Sequence, residues 1–204
     1  MGTILTHPKP CIPACRTIGV CGTASNVGAT HLSIALANFL CSKFYSNTAY
    51  LEMNGSHEIL ALAGKKNSDT PFVHQRVTYY PGVTLVQTPK ILSCRYKYFV
   101  MDFGCPNSHT IREFLQCDLR LIVGYVSPWK VVQLEQFVRK LSGVSQFKEE
   151  ENVYIGNFMG RKKDLEQISK KLNIRMIPMP FLPNPFRVTS SDFGFFETIF
   201  RKEI

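Results

Sequence analysis

The segment TIGVCGTASNVGATHLSIALANFL, residues 17–40, decides the architecture. Its opening run, Thr17 to Cys21, is short, apolar and followed by glycine, which is how a buried strand reads. Its closing part places Leu32, Ala35, Leu36, Phe39 and Leu40 at i, i+3, i+4, i+7 and i+8, one apolar face of a helix. A loop containing Gly22 and Gly28 joins the two. Strand, loop and helix in this order form one unit of a parallel sheet with crossover helices.

Working outward, the same alternation continues. Further strands are predicted at Thr48–Glu52, Val83–Gln87, Tyr98–Asp102, Leu119–Tyr125, Val153–Gly156 and Ile174–Ile177. Helices are predicted in VVQLEQFVRKLSG, where Gly143 supplies the stop, and in RKKDLEQISKKL. The segment PMPFLPNPF carries four prolines in nine positions and cannot be helical. A last helix is expected in SSDFGFFETIFRKEI, capped by Ser or Asp. The fold class is therefore α/β: a doubly wound, mostly parallel sheet of about seven strands with helices on both faces. The expected organisation is an N-terminal tail, residues 1–16, followed by a single domain, residues 17–204.

The composition agrees with one packed domain. The chain has 204 residues, 45% hydrophobic and 19% charged, enough to bury a full core and unlike a disordered chain. No run approaches the roughly 18 apolar residues of a membrane span, and the first residues lack the basic start and apolar run of a signal peptide. The seven cysteines are odd in number and lack paired CxxC spacing, which implies reduced thiols and a cytoplasmic protein; Cys11 and Cys15 form the one close pair. The formal charge is +9, and the first 101 residues hold nine Lys or Arg against Glu52, Glu58 and Asp69. A surface of that sign attracts polyanions without specifying one.

Chemistry becomes readable in the loop after the first strand. A glycine-bearing strand-to-helix loop presents backbone N–H groups and the positive end of the helix dipole to an anion. In the phosphate-binding pattern GxxxxGK followed by Ser or Thr, the lysine neutralises the β and γ phosphates and the hydroxyl ligates magnesium. Here the pattern falls on Thr23, Ala24, Ser25, Asn26, Val27, Gly28, Ala29 and Thr30. Loop length, second glycine and hydroxyl remain, while the first glycine is Thr23 and the lysine is Ala29.

These residues resemble the MinD/ParA group of deviant P-loop ATPases, whose loop reads KGGxGK and then Ser or Thr, and the resemblance extends over nearly the whole chain. Ala24 stands where that group has its extra lysine, and Ser25 and Asn26 replace two glycines. TAYLEMNGS is similar to the group's two-aspartate segment, with Glu52 and Asn54 at the matching positions. YKYFVMDFG resembles its acidic strand, with Asp102 as the acid; IGN, with Asn157, resembles the strand end that contacts adenine, and IRMIPMPF, with Pro180, the strand and proline loop that cover the base. The resemblance implies ATP or ADP with magnesium as ligand. Thr30 and Asp102 would hold the metal, Asp102 would be the catalytic residue, and residues Thr23 to His31 would cradle phosphate.

The missing lysines change what that implies. Losing one such donor typically costs about 3–4 kcal/mol of barrier, and two are absent. The leading reading is a degenerate, non-hydrolysing or weakly nucleotide-binding protein acting in regulation, positioning or scaffolding. A second is an active ATPase with a relocated cation from His31, Arg16 or Lys43. A third is a nucleotide-free module for protein or DNA contacts.

Partners follow the same lines. An unidentified protein partner is expected, a homodimer is possible, and Ala24 removes the lysine that reaches across the family's nucleotide-sandwiched dimer. Arg161, Lys162 and Lys163 with Lys170, Lys171 and Arg175 could meet DNA phosphates nonspecifically, though a solvated helix face explains them better. Phe193, Phe196 and Phe200 share a face that could lie on a membrane surface, but mixed charges favour packing against the domain. Cys105 and His109, close to Asp102 in sequence, form a conceivable Cys–His pair, with ordinary loop residues the plainer reading.

Overall fold

A computed structural model describes residues 16–64, 70–144, 152–157 and 162–201. Cys11, Cys15 and Arg161 lie outside these residues.

Eight strands form one sheet: β1 (Thr17–Gly22), β2 (Thr48–Glu52), β3 (Phe72–His74), β4 (Val77–Tyr80), β5 (Tyr98–Asp102), β6 (Leu119–Tyr125), β7 (Asn152–Asn157) and β8 (Met176–Pro178). The helices are α1 (Ala29–Phe44), α2 (Thr88–Leu92), α3 (Thr110–Leu115), α4 (Val131–Ser142), α5 (Lys162–Leu172) and α6 (Phe193–Phe200). The strand order is β3-β4-β2-β5-β1-β6-β7-β8, parallel throughout except for the β3–β4 hairpin at one edge. From β1 the chain first builds one half of the sheet through β2, β4 and β5, then the other through β6, β7 and β8. The reversal leaves a crevice at the carboxyl end of β1, where sheets of this kind place their ligands.

Alternate strand residues enter two cores. Val20, Tyr50, Val100, Leu121 and Ile155 face α1 and α6, whereas Leu51, Phe99, Met101, Ile122 and Tyr154 face α3, α4 and α5. Helix α1 is buried along every residue from Leu32 to Cys41, far more than one face, because α6 covers the side turned away from the sheet. Phe39 is the contact point, with Phe193, Phe196 and Phe200 all ringed about it at 4.8 to 6.4 Å between centroids, and Lys43 pairs with Glu197 at 2.9 Å. The aromatic face of α6 is thus spent on the domain. The two polar residues that burial catches on α1 are satisfied locally: Ser33 donates to Ala29 O, and Asn38 donates to Ile34 O and Tyr79 Oη.

The sheet, expected with about seven strands, has eight. Two expectations are corrected. Residues Val83–Gln87 are a turn leading into α2: the Gln87 amide oxygen accepts both the N–H and the hydroxyl of Thr84, Val86 is 89% exposed, and Pro89 stands in the first turn of the helix. The strand beside β2 is instead β4, closed by Pro81-Gly82. Asp192 sits at the N-cap of α6, but its carboxylate accepts from the N–H and hydroxyl of Thr189 and caps no helical N–H.

The far end of β1 is pinned by Asp118, whose Oδ2 accepts from Arg16 N, Thr17 N and Thr17 Oγ1 at 2.8 to 2.9 Å. Partial burial pushes this carboxyl up, but the Thr17 and Arg16 donors outweigh it and hold it below the usual carboxylate value. A carboxyl depressed in the folded state stabilises above its unfolded pKa, about 3.9, and loses that contribution as pH falls through the folded value. Urea midpoints measured from pH 7 to pH 3 should therefore fall more steeply for the native chain than for Asp118→Asn; parallel profiles would contradict the assignment.

Candidate functional site

The carboxyl end of β1 is gripped from both sides. Gly22 N donates to Gly104 O at 2.6 Å, and Thr23 N donates to Val123 O at 2.9 Å, tying the strand to the loop after β5 and to β6. The chain then turns tightly through residues 23–28. Gly22 has to be glycine there, since a Cβ would lie 2.4 Å from Val27 Cγ1 and 2.9 Å from Ala24 O. Asn26 and Gly28 take the left-handed conformation, at φ 59° and 96°. Tyr125 Oη donates to Asn26 O at 2.6 Å, and Asn157 Nδ2 donates to Val27 O at 2.9 Å, so strand ends β6 and β7 hold the loop from outside. Helix α1 starts at Ala29, with Leu32 N bonded to Gly28 O. Its first N–H groups have no intrahelical acceptor.

An open cavity of about 520 Å³ lies over this loop. Ala24 through His31 line it, together with Ile34, Asn54, Ser56, Glu58, Gly104, Cys105 and Pro185. Among these described residues there is no lysine or arginine. Arg16 and Lys43 stand elsewhere, each about 20 Å away by strand or helix rise, with the Arg16 guanidinium on Leu92 O and Cys94 O and Lys43 on Glu197. His31 does reach the cavity. Its Nε2 lies 2.7 Å from Leu182 O; a carbonyl can only accept, so that nitrogen carries the proton, and the ring ties the start of α1 to the proline loop.

At the cavity floor Asp102, the last residue of β5, is 0% exposed. Its Oδ2 accepts from Tyr50 Oη at 2.8 Å and Asn54 Nδ2 at 3.0 Å, and its Oδ1 from Gly104 N at 3.0 Å. The Thr30 hydroxyl lies close enough to this carboxylate to favour its charged form. Burial pushes the Asp102 carboxyl above its usual value; the donors from Thr30, Gly104 and Tyr50 oppose this, and the nearby charge of Glu52 adds to it. Glu52, buried and registered beside Asp102 on β2, accepts from Ser56 Oγ, Ile59 N and Gly82 N. It organises the loop after β2 rather than facing the cavity.

The fold thus brings Ala24 to His31 into one cavity, with Asp102 directly beneath Thr30. Thr23 lies to one side, in a smaller cleft with Cys105, Gln133 and Lys140, and its Oγ1 is buried without a hydrogen-bond partner. Asn157 backs the loop through Val27. Pro180 is half-buried just past β8, while its neighbours make the approach: Met179 Cε comes within 3.8 Å of where a Gly28 Cβ would be, and Pro185 reaches the cavity wall. Cys105 is exposed at the cavity rim, and His109 precedes α3 with its N–H on Asn107 Oδ1. Among the described residues no three His, Cys, Asp or Glu side chains gather as a metal cluster. On the basic helix Lys171 pairs with Glu135 at 2.6 Å, and beyond it, just before β8, Arg175 donates to Thr198 O and Arg201 O. Residues that sequence reasoning missed, Tyr125, Met179, Leu182 and Pro185, carry no local signal, because each reaches the loop through tertiary packing.

No family model and no curated protein matches this sequence. Solved structures do. The MinD cell division protein of Aquifex aeolicus superposes with a TM-score of 0.69 at 15% identity, covering 90% of this chain and 95% of that one. A plasmid partition protein of Borrelia burgdorferi bound to AMPPNP gives 0.65 at 16%, covering 91% and 97%. The septum site-determining protein MinD of Pyrococcus horikoshii, complexed with Mg-ADP, gives 0.63 at 14%, covering 90% and 93%. The fold is that of P-loop proteins, and within them it is ParA/MinD-like. No helix of the described residues is long and apolar enough to cross a membrane.

Gly22 gives the most direct check on the loop geometry. Gly22→Ala should cost about 1–3 kcal/mol by forcing Val27 and the Ala24 carbonyl to move, about 2–4 °C of thermal midpoint per kcal/mol. Gly194→Ala, with nothing near its Cβ, should leave the midpoint level or raise it. Equal midpoints for both variants would contradict the close approach.

Proposed function

We propose that this protein is a ParA/MinD-type P-loop protein that binds nucleotide weakly, hydrolyses it inefficiently or not at all, and serves as a regulatory, positioning or scaffold protein. One observation carries the reading: the loop from Thr23 to Thr30 keeps a tight turn into a helix start, the geometry that suits a phosphate, while no described residue lining its cavity is a lysine or arginine. Backbone N–H groups and the helix dipole suffice to attract phosphate. They do not supply the charge that phosphoryl transfer needs, and deleting one stabilising donor typically costs 10²- to 10³-fold in rate.

In this reading residues Ala24 to His31 hold the phosphates, and Asn157 with the proline loop around Pro180 borders the base. ATP and ADP are the nucleotides suggested by the AMPPNP and Mg-ADP in the structural neighbours. The distance of Arg16 and Lys43 from the loop weighs against a relocated cation. A membrane role for α6 is disfavoured by the packing of its phenylalanines on Phe39. The ties of Lys171 and Arg175 weigh against a free DNA-binding face, which leaves a protein partner, including a second copy of the chain, as the better reading.

Calorimetric titration with ATP and ADP should give weak saturable binding that Gly28→Trp abolishes, with no phosphate release above the buffer rate. Absence of binding at millimolar nucleotide would overturn the proposal. Turnover that vanishes in Asp102→Ala would favour a working ATPase instead.

A further inference from the structure

Thr30 and Asp102 are the pair that a P-loop protein would use for magnesium, and a third residue stands between them. Asn54 Nδ2 donates to Asp102 Oδ2 at 3.0 Å and to Thr30 Oγ1 at 3.4 Å. Asn54 thus bridges the two side chains through one NH₂ group. The amide orientation is fixed by its other end, because Asn54 Oδ1 accepts from Ser56 N at 2.8 Å and a backbone N–H can only donate. The side chain is also locked by packing. Gly104 lies against it at φ 54°, and a Cβ there would come within 2.7 Å of Asn54 Cβ.

This arrangement does not fit magnesium. The ion demands near-octahedral oxygen ligands at about 2.0–2.1 Å, and an amide NH₂ offers only hydrogens to the space between Thr30 and Asp102. The remaining acceptor capacity of Asp102 goes to Tyr50 Oη and Gly104 N in a fully buried setting. To reach the Thr30 and Asp102 oxygens directly, the ion would have to displace the Asn54 amide and compete with the donors already on the carboxylate.

We propose that Asn54 takes the place of the divalent cation, so that the loop binds its phosphate ligand without magnesium. The neutral amide satisfies the buried carboxylate and orients the Thr30 hydroxyl, the two local tasks a metal would perform. It brings no positive charge to the phosphates. For its ligand the inference rests on the nucleotide reading above; for the metal it stands on the Asn54 bridge between Thr30 and Asp102 alone.

The test separates the two. Thermal midpoints of nucleotide-free protein are measured in EDTA and in millimolar magnesium, for the native chain, Asn54→Asp and Asn54→Ala. The native midpoint should not move with magnesium. Asn54→Asp puts a carboxylate beside Asp102 and keeps the acceptor for Ser56 N, so it should be destabilised in EDTA and rise by several degrees with magnesium. Asn54→Ala opens the same space without the added charge and should show a smaller rise, which keeps the test decisive if the aspartate variant does not fold. ATP titrations of the native protein in EDTA and in magnesium should then agree within about threefold in Kd. A native midpoint that rises with magnesium as much as that of Asn54→Asp, or ATP binding that needs magnesium, would overturn the proposal. ATP binding in neither condition would sink the nucleotide reading while the magnesium midpoints still decide the role of Asn54.

Discussion

Two backbone hydrogen bonds, Gly22 N to Gly104 O and Thr23 N to Val123 O, fix the point on which the rest of the site depends. They hold the carboxyl end of β1 between β5 and β6, where the strand order reverses, and so set where the loop leaves the sheet and where α1 begins. Everything that reaches the cavity does so relative to this clamp. Tyr125 and Asn157 come from the strand ends to one side, Asp102 and Asn54 from the other, and the proline loop closes over the start of α1 through His31. A loop held this way is preorganised, and fixed dipoles need no reorganisation when an anion arrives.

The electrostatics of the site are unusual for its shape. The turn and the helix start favour negative charge, yet the charged groups in and beneath the cavity are acidic: Asp102, Glu52 and, at the rim, Glu58. Burial already pushes the Asp102 carboxyl above its ordinary value, and the protein offsets that with hydrogen bonds from Tyr50, Asn54 and Gly104 rather than with a cation. In the proposed reading such a site recognises a phosphate group by backbone geometry, with no lysine or arginine among the described residues of the cavity to stabilise charge that develops during transfer.

Much of this was legible in the sequence, and the limits have physical causes. The strands Thr48–Glu52, Tyr98–Asp102 and Leu119–Tyr125 and the helix ending at Gly143 were readable to the residue, because buried parallel strands and a strongly amphipathic helix are strong local patterns. Val83–Gln87 is apolar enough to pass for a strand, yet the Gln87–Thr84 side-chain turn and Pro89 override that pattern. The edge hairpin β3–β4 is too short to announce itself. On α1 the periodicity marked one apolar face, while the contact with α6, more than 150 residues away in the chain, buries the rest. The loop, Thr30 and Asp102 could be found from their spacing. The position of Asn54 between them could not, since it depends on Gly104 leaving room and on a register pairing of β2 with β5 that no local signal encodes.

The central claim is that the loop still cradles phosphate although no lysine or arginine is among the described residues lining it. The most direct measurement is ATP affinity by calorimetry for Ala29→Lys beside the native chain, Ala29 being at the cavity wall and first in α1. One charge-assisted contact contributes about 1.5–3 kcal/mol, so affinity should rise at least about tenfold. Unchanged or weaker binding by a folded Ala29→Lys protein would contradict the account and mark the loop as a structural turn without a phosphate site.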